Sequence, residues 1–222
     1  LTTASFVYDG DGKRVKSTLS MSNGSTTTYF VGGHYEVANG VITKYYYAGA
    51  QRIALRQNGT LNYILGDHLG STSLVVDAVG VIVSETRYKA WGEVRYSSGT
   101  LPTKYTYTGQ YTYTGDFGLM FYQSRFYDPQ LGRFSSPDSI IPEQTQGVQA
   151  WDHYAYTNNN PVRYTDPTGH CLLCYTAAVV GGVLLGAYIY FHYIHEPSRP
   201  ADGNASNVWE LAYLGYEHAE HA

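Results

Sequence analysis

Short apolar stretches and turn residues alternate along the first 135 or so residues of the chain. The stretches are rich in β-branched and aromatic residues, and most end at Gly, Asn or Asp. They recur about every 10 to 12 residues, a spacing typical of antiparallel strands and not of alternating βαβ units. The pattern therefore predicts a mainly β fold of stacked antiparallel hairpins. The predicted strands are residues 26–31, 41–48, 52–56, 61–65, 73–76 and 81–88.

Two turn signals stand out between these stretches. Residues 9–12 read DGDG and follow Tyr8, and two Asp-Gly dipeptides in a row predict a tight hairpin turn. Residues 106–110 read TYTGQ and residues 112–116 read TYTGD, so the two segments almost repeat each other. The repeat predicts two similar hairpins that stack side by side, each burying its face on the next.

The character of the chain changes twice, which predicts three parts. Residues 1–135 form the strand-rich β-sheet region. Residues 136–170 are polar and contain prolines and an Asn-Asn-Asn run, which indicates loops that cross over the sheet and plug it. Residues 171–222 begin with an apolar segment, predicted to be helical, and end in a polar tail for which a short amphipathic helix is predicted.

Composition supports the β prediction and argues against one class of partner. The chain has 24 Tyr and 24 Gly, and Tyr favours strands whereas Gly favours turns. Only 14% of residues are charged, the formal net charge is −4, and no basic stripe is present. Nucleic-acid binding needs cations that neutralise phosphates. We therefore expect the tyrosines to pack between strands, and we expect no nucleic-acid partner.

The two cysteines, Cys171 and Cys174, form a CxxC motif whose meaning is open. Zinc would need two further ligands at suitable spacing, and no second CxxC exists. The remaining interpretations are a redox pair or small apolar residues at the head of a hydrophobic run, and the run favours the latter. We therefore predict no metal site and no cofactor.

Specific motifs carry a resemblance to one family. Residues 8–14 read YDGDGKR, like a YD repeat, and residues 66–72 read GDHLGST, which is similar to the DHLGS signature. Residues 125–138 read RFYDPQLGRFSSPD, and the segments YAYTNNNPV and DPTG follow in the family's order. Over roughly residues 5 to 170, the chain resembles the C-terminal core-associated region of RHS/YD-repeat proteins.

The resemblance implies a fold and a reaction. RHS proteins wind such repeats into a β spiral that closes as a hollow shell around a C-terminal toxin or other cargo. In many members the core-terminal region also cuts the chain by an aspartic-protease-like reaction. By resemblance, Asp138 and Asp166 would be the catalytic pair, Arg133 would orient them, and the cut would fall just beyond Gly169-His170. The alternative is that both aspartates are turn and plug residues, so whether the chain is an enzyme stays open.

Residues 5–135 supply fewer repeats than a closed shell in this family needs. An open stack of strands leaves unpaired backbone groups at its two edges. Either a further portion of chain or identical copies must cover those edges, and copies related by an open operator would form a filament. The leading hypothesis is therefore a structural β protein that self-associates through its strand edges, as a homo-oligomer or polymer, and packs its own C-terminal segment.

The apolar segment at residues 171–194 leaves further alternatives. Its 24 residues would span about 36 Å as a helix, enough to cross a bilayer. The same segment fits burial inside the shell or at a subunit interface, as cargo of its own chain. A membrane-anchored surface protein is therefore a third hypothesis, and a secreted or cell-surface location is expected in each case. A nuclease or deaminase domain is disfavoured, because residues 171–222 show no defensible catalytic pairing.

Overall fold

A computed structural model describes residues 2–139 and 151–170 of the chain. These residues form two antiparallel sheets within one compact unit, and the strands follow one another in chain order. The mainly β, hairpin-based prediction is confirmed, whereas the predicted helix at residues 171–194 lies outside the described residues. The larger sheet contains β1 Thr3–Tyr8, β2 Arg14–Met21, β3 Gly24–Val31, β4 Tyr35–Ala38, β5 Val41–Ala48, β6 Gln51–Gln57, β7 Thr60–Gly66, β8 Thr72–Asp77, β9 Ile82–Tyr88 and β10 Val94–Gly99. The smaller sheet contains β11 Tyr111–Tyr113, β12 Leu119–Tyr122, β13 Arg125–Asp128 and β14 Arg133–Phe134.

Several hairpin turns of the larger sheet share one backbone geometry. In the turn that begins at Asp9, the Asp9 amide donates to the Lys13 carbonyl (2.9 Å) and the Gly12 amide donates back to the Asp9 carbonyl (3.1 Å). The Asp9 carboxylate also accepts from the amides two and four residues on. Turns that begin at Asp67 and Asp77 repeat all four hydrogen bonds. The Asp-x-x-Gly sequence is therefore a turn signal, with Gly at the position that needs positive φ.

The first of the two TYTG segments forms the tight turn of a hairpin. The Thr106 amide donates to the Gln110 carbonyl (2.9 Å) and the Gly109 amide donates back to the Thr106 carbonyl (3.1 Å), the same pair of bonds as in the Asp9 turn. Tyr105 and Tyr111 pair antiparallel across this turn, and the Thr108 amide donates to the Ser71 hydroxyl at 3.1 Å. In the second segment, by contrast, Thr112 and Tyr113 lie in β11 and the turn comes later. The two near-repeats thus take different places in their hairpins.

The two sheets pack face to face through aromatic side chains. Leu19 and Phe30 of the larger sheet lie against Tyr111, Tyr113 and Phe121 of the smaller one, and all five are buried. Burial of such side chains contributes about 1.5–3 kcal/mol each to stability. Aromatic packing between the sheets therefore fixes the smaller sheet, and with it the residues described below.

A buried carboxylate lies in the same interface. Glu36 of β4 is 8% exposed and accepts a 2.7 Å hydrogen bond from the Tyr45 hydroxyl, which shares another with Thr103 at 3.0 Å. Among the described residues, the second oxygen of Glu36 has no hydrogen-bond partner. Burial raises the pKa of Glu36 above the usual range, opposed by the Tyr45 hydrogen bond and the charge of Arg52. The Tyr45 hydroxyl thus links Thr103 to Glu36, and this link depends on the protonation of the Glu36 carboxyl group.

Residues 151–155 extend the smaller sheet and lead to the end of the described chain. The Phe134 amide donates to the Tyr154 carbonyl at 3.0 Å, and the Asp138 amide donates to the His153 carbonyl at 2.9 Å. Tyr156 then enters the aromatic cluster of the smaller sheet, where burial raises its pKa to about 12. In the described part of the chain, no helix is long and apolar enough to span a bilayer.

Candidate functional site

Arg125 is a buried cation at the start of β13. It pairs in register with Tyr122 of β12, and its side chain is only 5% exposed. The guanidinium lies over the Phe134 ring at 3.6 Å from the ring centroid. Burial lowers the pKa of Arg125, opposed by the negative charges of Asp138 and Asp166. A cation in such an apolar setting needs nearby counter-charges.

Two aspartates supply those counter-charges. One guanidinium nitrogen, Nη2, lies 2.8 Å from Oδ2 of Asp138 and 3.7 Å from Oδ2 of Asp166. The Asp138 and Asp166 side chains are 6% and 5% exposed. The second terminal nitrogen of Arg125 donates to the His153 carbonyl at 2.9 Å. Residues from three distant segments of the sequence are therefore held on one guanidinium.

Asp166 also organises the turn formed by residues 166–170. Its Oδ1 accepts from the amides of Gly169 (2.8 Å) and His170 (3.2 Å). Burial raises the pKa of Asp166, opposed by the Gly169 hydrogen bond and the charge of Arg125. The carboxyl group is therefore suited to hold a proton at a higher pH than an exposed aspartate would.

The carbonyl at the end of this turn faces the arginine. Arg125 Nε donates to the Gly169 carbonyl oxygen, so one guanidinium contacts both carboxylates and this peptide carbonyl. Ser124 fixes the turn from outside, since its amide and hydroxyl both donate to the Thr168 carbonyl, at 3.3 and 2.8 Å. The Gly169–His170 peptide bond thus has a cationic donor on its carbonyl and a carboxyl group on its amide.

Gly169 is required by this geometry. Its φ is +77°, a region that other residues adopt at a cost. A Cβ at this position would lie 2.2 Å from the Tyr122 carbonyl oxygen and 2.6 Å from Ser124 Oγ. The close approach of the turn to the β12–β13 hairpin therefore excludes any side chain.

His170 completes the cluster. Its Nδ1 lies 2.9 Å from Oδ1 of Asp138, and its side chain is 30% exposed. Asp138 is therefore contacted by Arg125 on one oxygen and by His170 on the other. Among the described residues, no group of three or more His, Cys, Asp or Glu side chains is arranged to hold a metal ion.

The structure brings together two of the three residues predicted for the site. Asp138 and Asp166 share one arginine, but that arginine is Arg125. Arg133 instead lies at the surface, 52% exposed, and pairs with Asp152 at 3.0 Å. The arginine that contacts both aspartates is thus Arg125 and not Arg133. The alternation of buried and exposed residues along a strand could have identified the correct arginine. Arg125 and Tyr127 share the buried face of β13, whereas Arg133 of β14 faces solvent.

Sequence reasoning also missed two parts of the site. The Gly169 carbonyl was not expected to contact an arginine, and His170 was named only as a neighbour of the expected cut. No local pattern signals either contact, because Arg125 and Asp138 lie more than 30 residues before their partners in the 166–170 turn.

The fold and site together define a class: a larger sheet of consecutive antiparallel hairpins, with a smaller sheet packed against it that carries a buried Asp-Arg-Asp cluster. A family profile described as Teneurin YD-shell matches residues 4–162. The chain belongs to this family of RHS/YD-repeat proteins.

Two curated relatives and one solved structure illustrate which proteins this chain is similar to. The tRNA nuclease WapA of Bacillus subtilis (strain 168) is 33% identical over 180 residues, which cover 75% of this chain. The double-stranded DNA deaminase toxin A of Burkholderia cenocepacia (strain H111) is 31% identical over 153 residues, 67% of this chain. The crystal structure of TcdB2-TccC3-Cdc42 aligns with a TM-score of 0.63 at 22% identity, covering 75% of this chain and 9% of that one. This last likeness concerns the fold.

The matches are local with respect to those proteins. The matching region spans 7% of the nuclease and 9% of the deaminase toxin. The chain therefore corresponds to a small part of each relative.

Proposed function

We propose that this chain is a segment of shell wall that cuts its own backbone at the 166–170 turn, so that the residues beyond it become separate cargo. The observation that carries the proposal is the position of Arg125, which contacts Asp138, Asp166 and the Gly169 carbonyl at once. A purely structural ion pair would need the two carboxylates but not the peptide carbonyl.

The reaction is hydrolysis of the Gly169–His170 peptide bond. Arg125 polarises the Gly169 carbonyl and stabilises the negative charge that develops on its oxygen. Asp138, as the carboxylate, takes a proton from water while the water oxygen adds to the carbonyl carbon. Asp166 in its protonated form, which burial favours by raising its pKa, gives its proton to the His170 nitrogen as the C–N bond breaks. The products are a carboxyl group on Gly169 and an amino group on His170.

The relatives support the biological setting of this proposal. Two of them are named for enzymes that act on nucleic acids, and the region matched here is a small share of each. A β wall that encloses such an enzyme needs a way to separate it from the shell before release. We propose the same arrangement here, in a secreted or surface-exposed protein, with residues beyond 170 as cargo.

Intact mass spectrometry of freshly purified protein tests the cleavage. We expect a fragment of residues 1–169, and we expect Asp138→Asn and Asp166→Asn to abolish it. Asp152→Asn is the matched control, because Asp152 also pairs with an arginine but at the surface. If the parent chain stays whole, or if Asp138→Asn is cut as fast as the parent, the proposed reaction is wrong.

A second candidate function, self-association, rests on the edges of the larger sheet. β1 and β10 each pair with one neighbour within the described residues, and every residue of β10 is exposed. Unpaired strand edges are templates for further strands. Identical copies that pair edge to edge would therefore extend the sheet into a closed ring or a filament.

Electron microscopy and sedimentation in detergent-free buffer test this second function. Regular filaments or rings are expected, and Val7→Lys on β1 should reduce them because a charge on an edge strand opposes pairing. Val79→Lys is the control, since Val79 lies in a turn and is 84% exposed. A parent chain that remains monomeric as its concentration rises would exclude self-association.

A further inference from the structure

The side chain at position 170 contacts the carboxylate that the proposed cleavage uses as a base. His170 Nδ1 lies 2.9 Å from Oδ1 of Asp138, while Arg125 holds Oδ2 of the same group at 2.8 Å. A water molecule that gives its proton to Asp138 must approach one of these two oxygens. The imidazole therefore competes with the attacking water for Asp138.

The strength of this competition depends on the charge of the imidazole. A protonated histidine makes a charge-assisted hydrogen bond to a carboxylate, about twice as strong as a neutral one. A nearby positive charge also makes a carboxylate a weaker base. Histidine side chains change charge between about pH 5 and 8. Both effects therefore oppose proton abstraction at low pH and fade as the pH rises.

We propose that His170 is a pH-dependent brake on the self-cleavage of this chain, acting by occupying Asp138 Oδ1. The inference rests on the cleavage proposed above and assigns a regulatory role to a residue beside its catalytic pair. His170 acts through Asp138, so it is a positioning residue. The imidazole holds Asp138 more strongly when it is charged, and the weaker contact of the neutral ring lets water compete.

The effect of His170 on the cleavage rate can be separated from the effects of the charged groups around it. The titratable and charged groups that face it among the described residues are Asp138 at its ring, Asp166 at its amide and Arg125 across both carboxylates. His153 contributes only its carbonyl to Arg125. Asp166 is present in both variants at position 170. Its titration therefore affects both cleavage rates and cancels in their ratio.

The test follows formation of the fragment of residues 1–169 by intact mass at pH 5, 6, 7 and 8. His170→Leu removes the contact to Asp138. His170→Asn keeps a hydrogen-bond donor near the place of Nδ1 but cannot become charged. We expect His170→Leu to be cut faster than the parent, ~10-fold or more at pH 5 and ~3-fold at pH 8. The ratio of His170→Leu to His170→Asn should stay constant across this range.

The outcomes separate the brake from the cleavage itself. Equal rates for the parent and His170→Leu at every pH, with Asp138→Asn still blocking the cut, would overturn the brake and leave the cleavage standing. A slower His170→Leu chain would overturn it too, because the histidine would then assist. If His170→Leu also stays whole at every pH, the brake fails together with the cleavage. Cutting of His170→Leu that disappears when Asp138→Asn is added is the result that supports both.

Discussion

Replacement of Gly169 by Ala should lower the free energy of unfolding of the chain, and the loss has two parts. The first part is backbone strain, since a residue with a Cβ at φ +77° costs roughly 1–2 kcal/mol. The second is the clash of the new Cβ with the Tyr122 carbonyl oxygen, 2.2 Å away. Forcing extra atoms into a packed region costs typically about 1–3 kcal/mol. Gly169→Ala should therefore destabilise the chain by roughly 2–5 kcal/mol.

Gly12→Ala is the matched control for this prediction. Gly12 has φ +75°, and a Cβ there would meet nothing within 4 Å. Both replacements restrict the unfolded chain equally, so that effect cancels. The control should lose only the strain, about 1–2 kcal/mol, and the difference between the two variants measures the clash alone.

Urea unfolding followed by circular dichroism measures the difference, with both replacements made in an Asp138→Asn chain so that the proposed cleavage does not occur. With an m value of about 2 kcal/mol/M, the midpoint of Gly169→Ala should lie ~0.5–1.5 M below that of Gly12→Ala. Equal midpoints for the two variants would refute the reasoning, because the 166–170 turn would then not be held tightly against the β12–β13 hairpin.

Two further replacements test the buried charges. Arg125→Met should destabilise the chain by about 3–5 kcal/mol, because it leaves the buried Asp138 carboxylate without its cation. Urea unfolding measures the loss, and an unchanged midpoint would contradict this. The melting temperature of Glu36→Gln minus that of the parent should increase as the pH rises from 4 to 7. A raised folded-state pKa means that folding favours the protonated acid, so the parent loses stability as the pH rises through that pKa. A difference that does not change with pH would show that the charge of Glu36 is compensated in the folded chain.

Only part of the site could be predicted from the sequence, and strand geometry explains why the arginine was misassigned. Asp138 and Asp166 were found because the motifs around them are specific. Arg133 was assigned its orienting role by the resemblance alone. Once the strands are known, alternation places Arg125 inside and Arg133 outside.

The repeated pentapeptides show the opposite case, in which no local rule was sufficient. TYTGQ and TYTGD have the same turn residues, yet the first forms a tight turn between the paired Tyr105 and Tyr111, with its Thr108 amide held by Ser71. In the second, Thr112 and Tyr113 lie in β11 and the turn comes later, where the Asp116 amide donates to the Tyr113 carbonyl at 2.9 Å. Short segments of the same propensity follow their tertiary partners.

The sequence by itself determined the class of fold and the tight turns between neighbouring strands, because period-two alternation and Asp-x-x-Gly turns act between residues that are close along the chain. The order of the strands within each sheet came from the structure. Only the tertiary structure decided which groups meet at the site. Arg125, Asp138 and the turn ending at His170 come from segments that no local interaction links. Their meeting depends on the packing of the smaller sheet against the larger one, and that packing depends on the shapes of buried aromatic rings across both sheets.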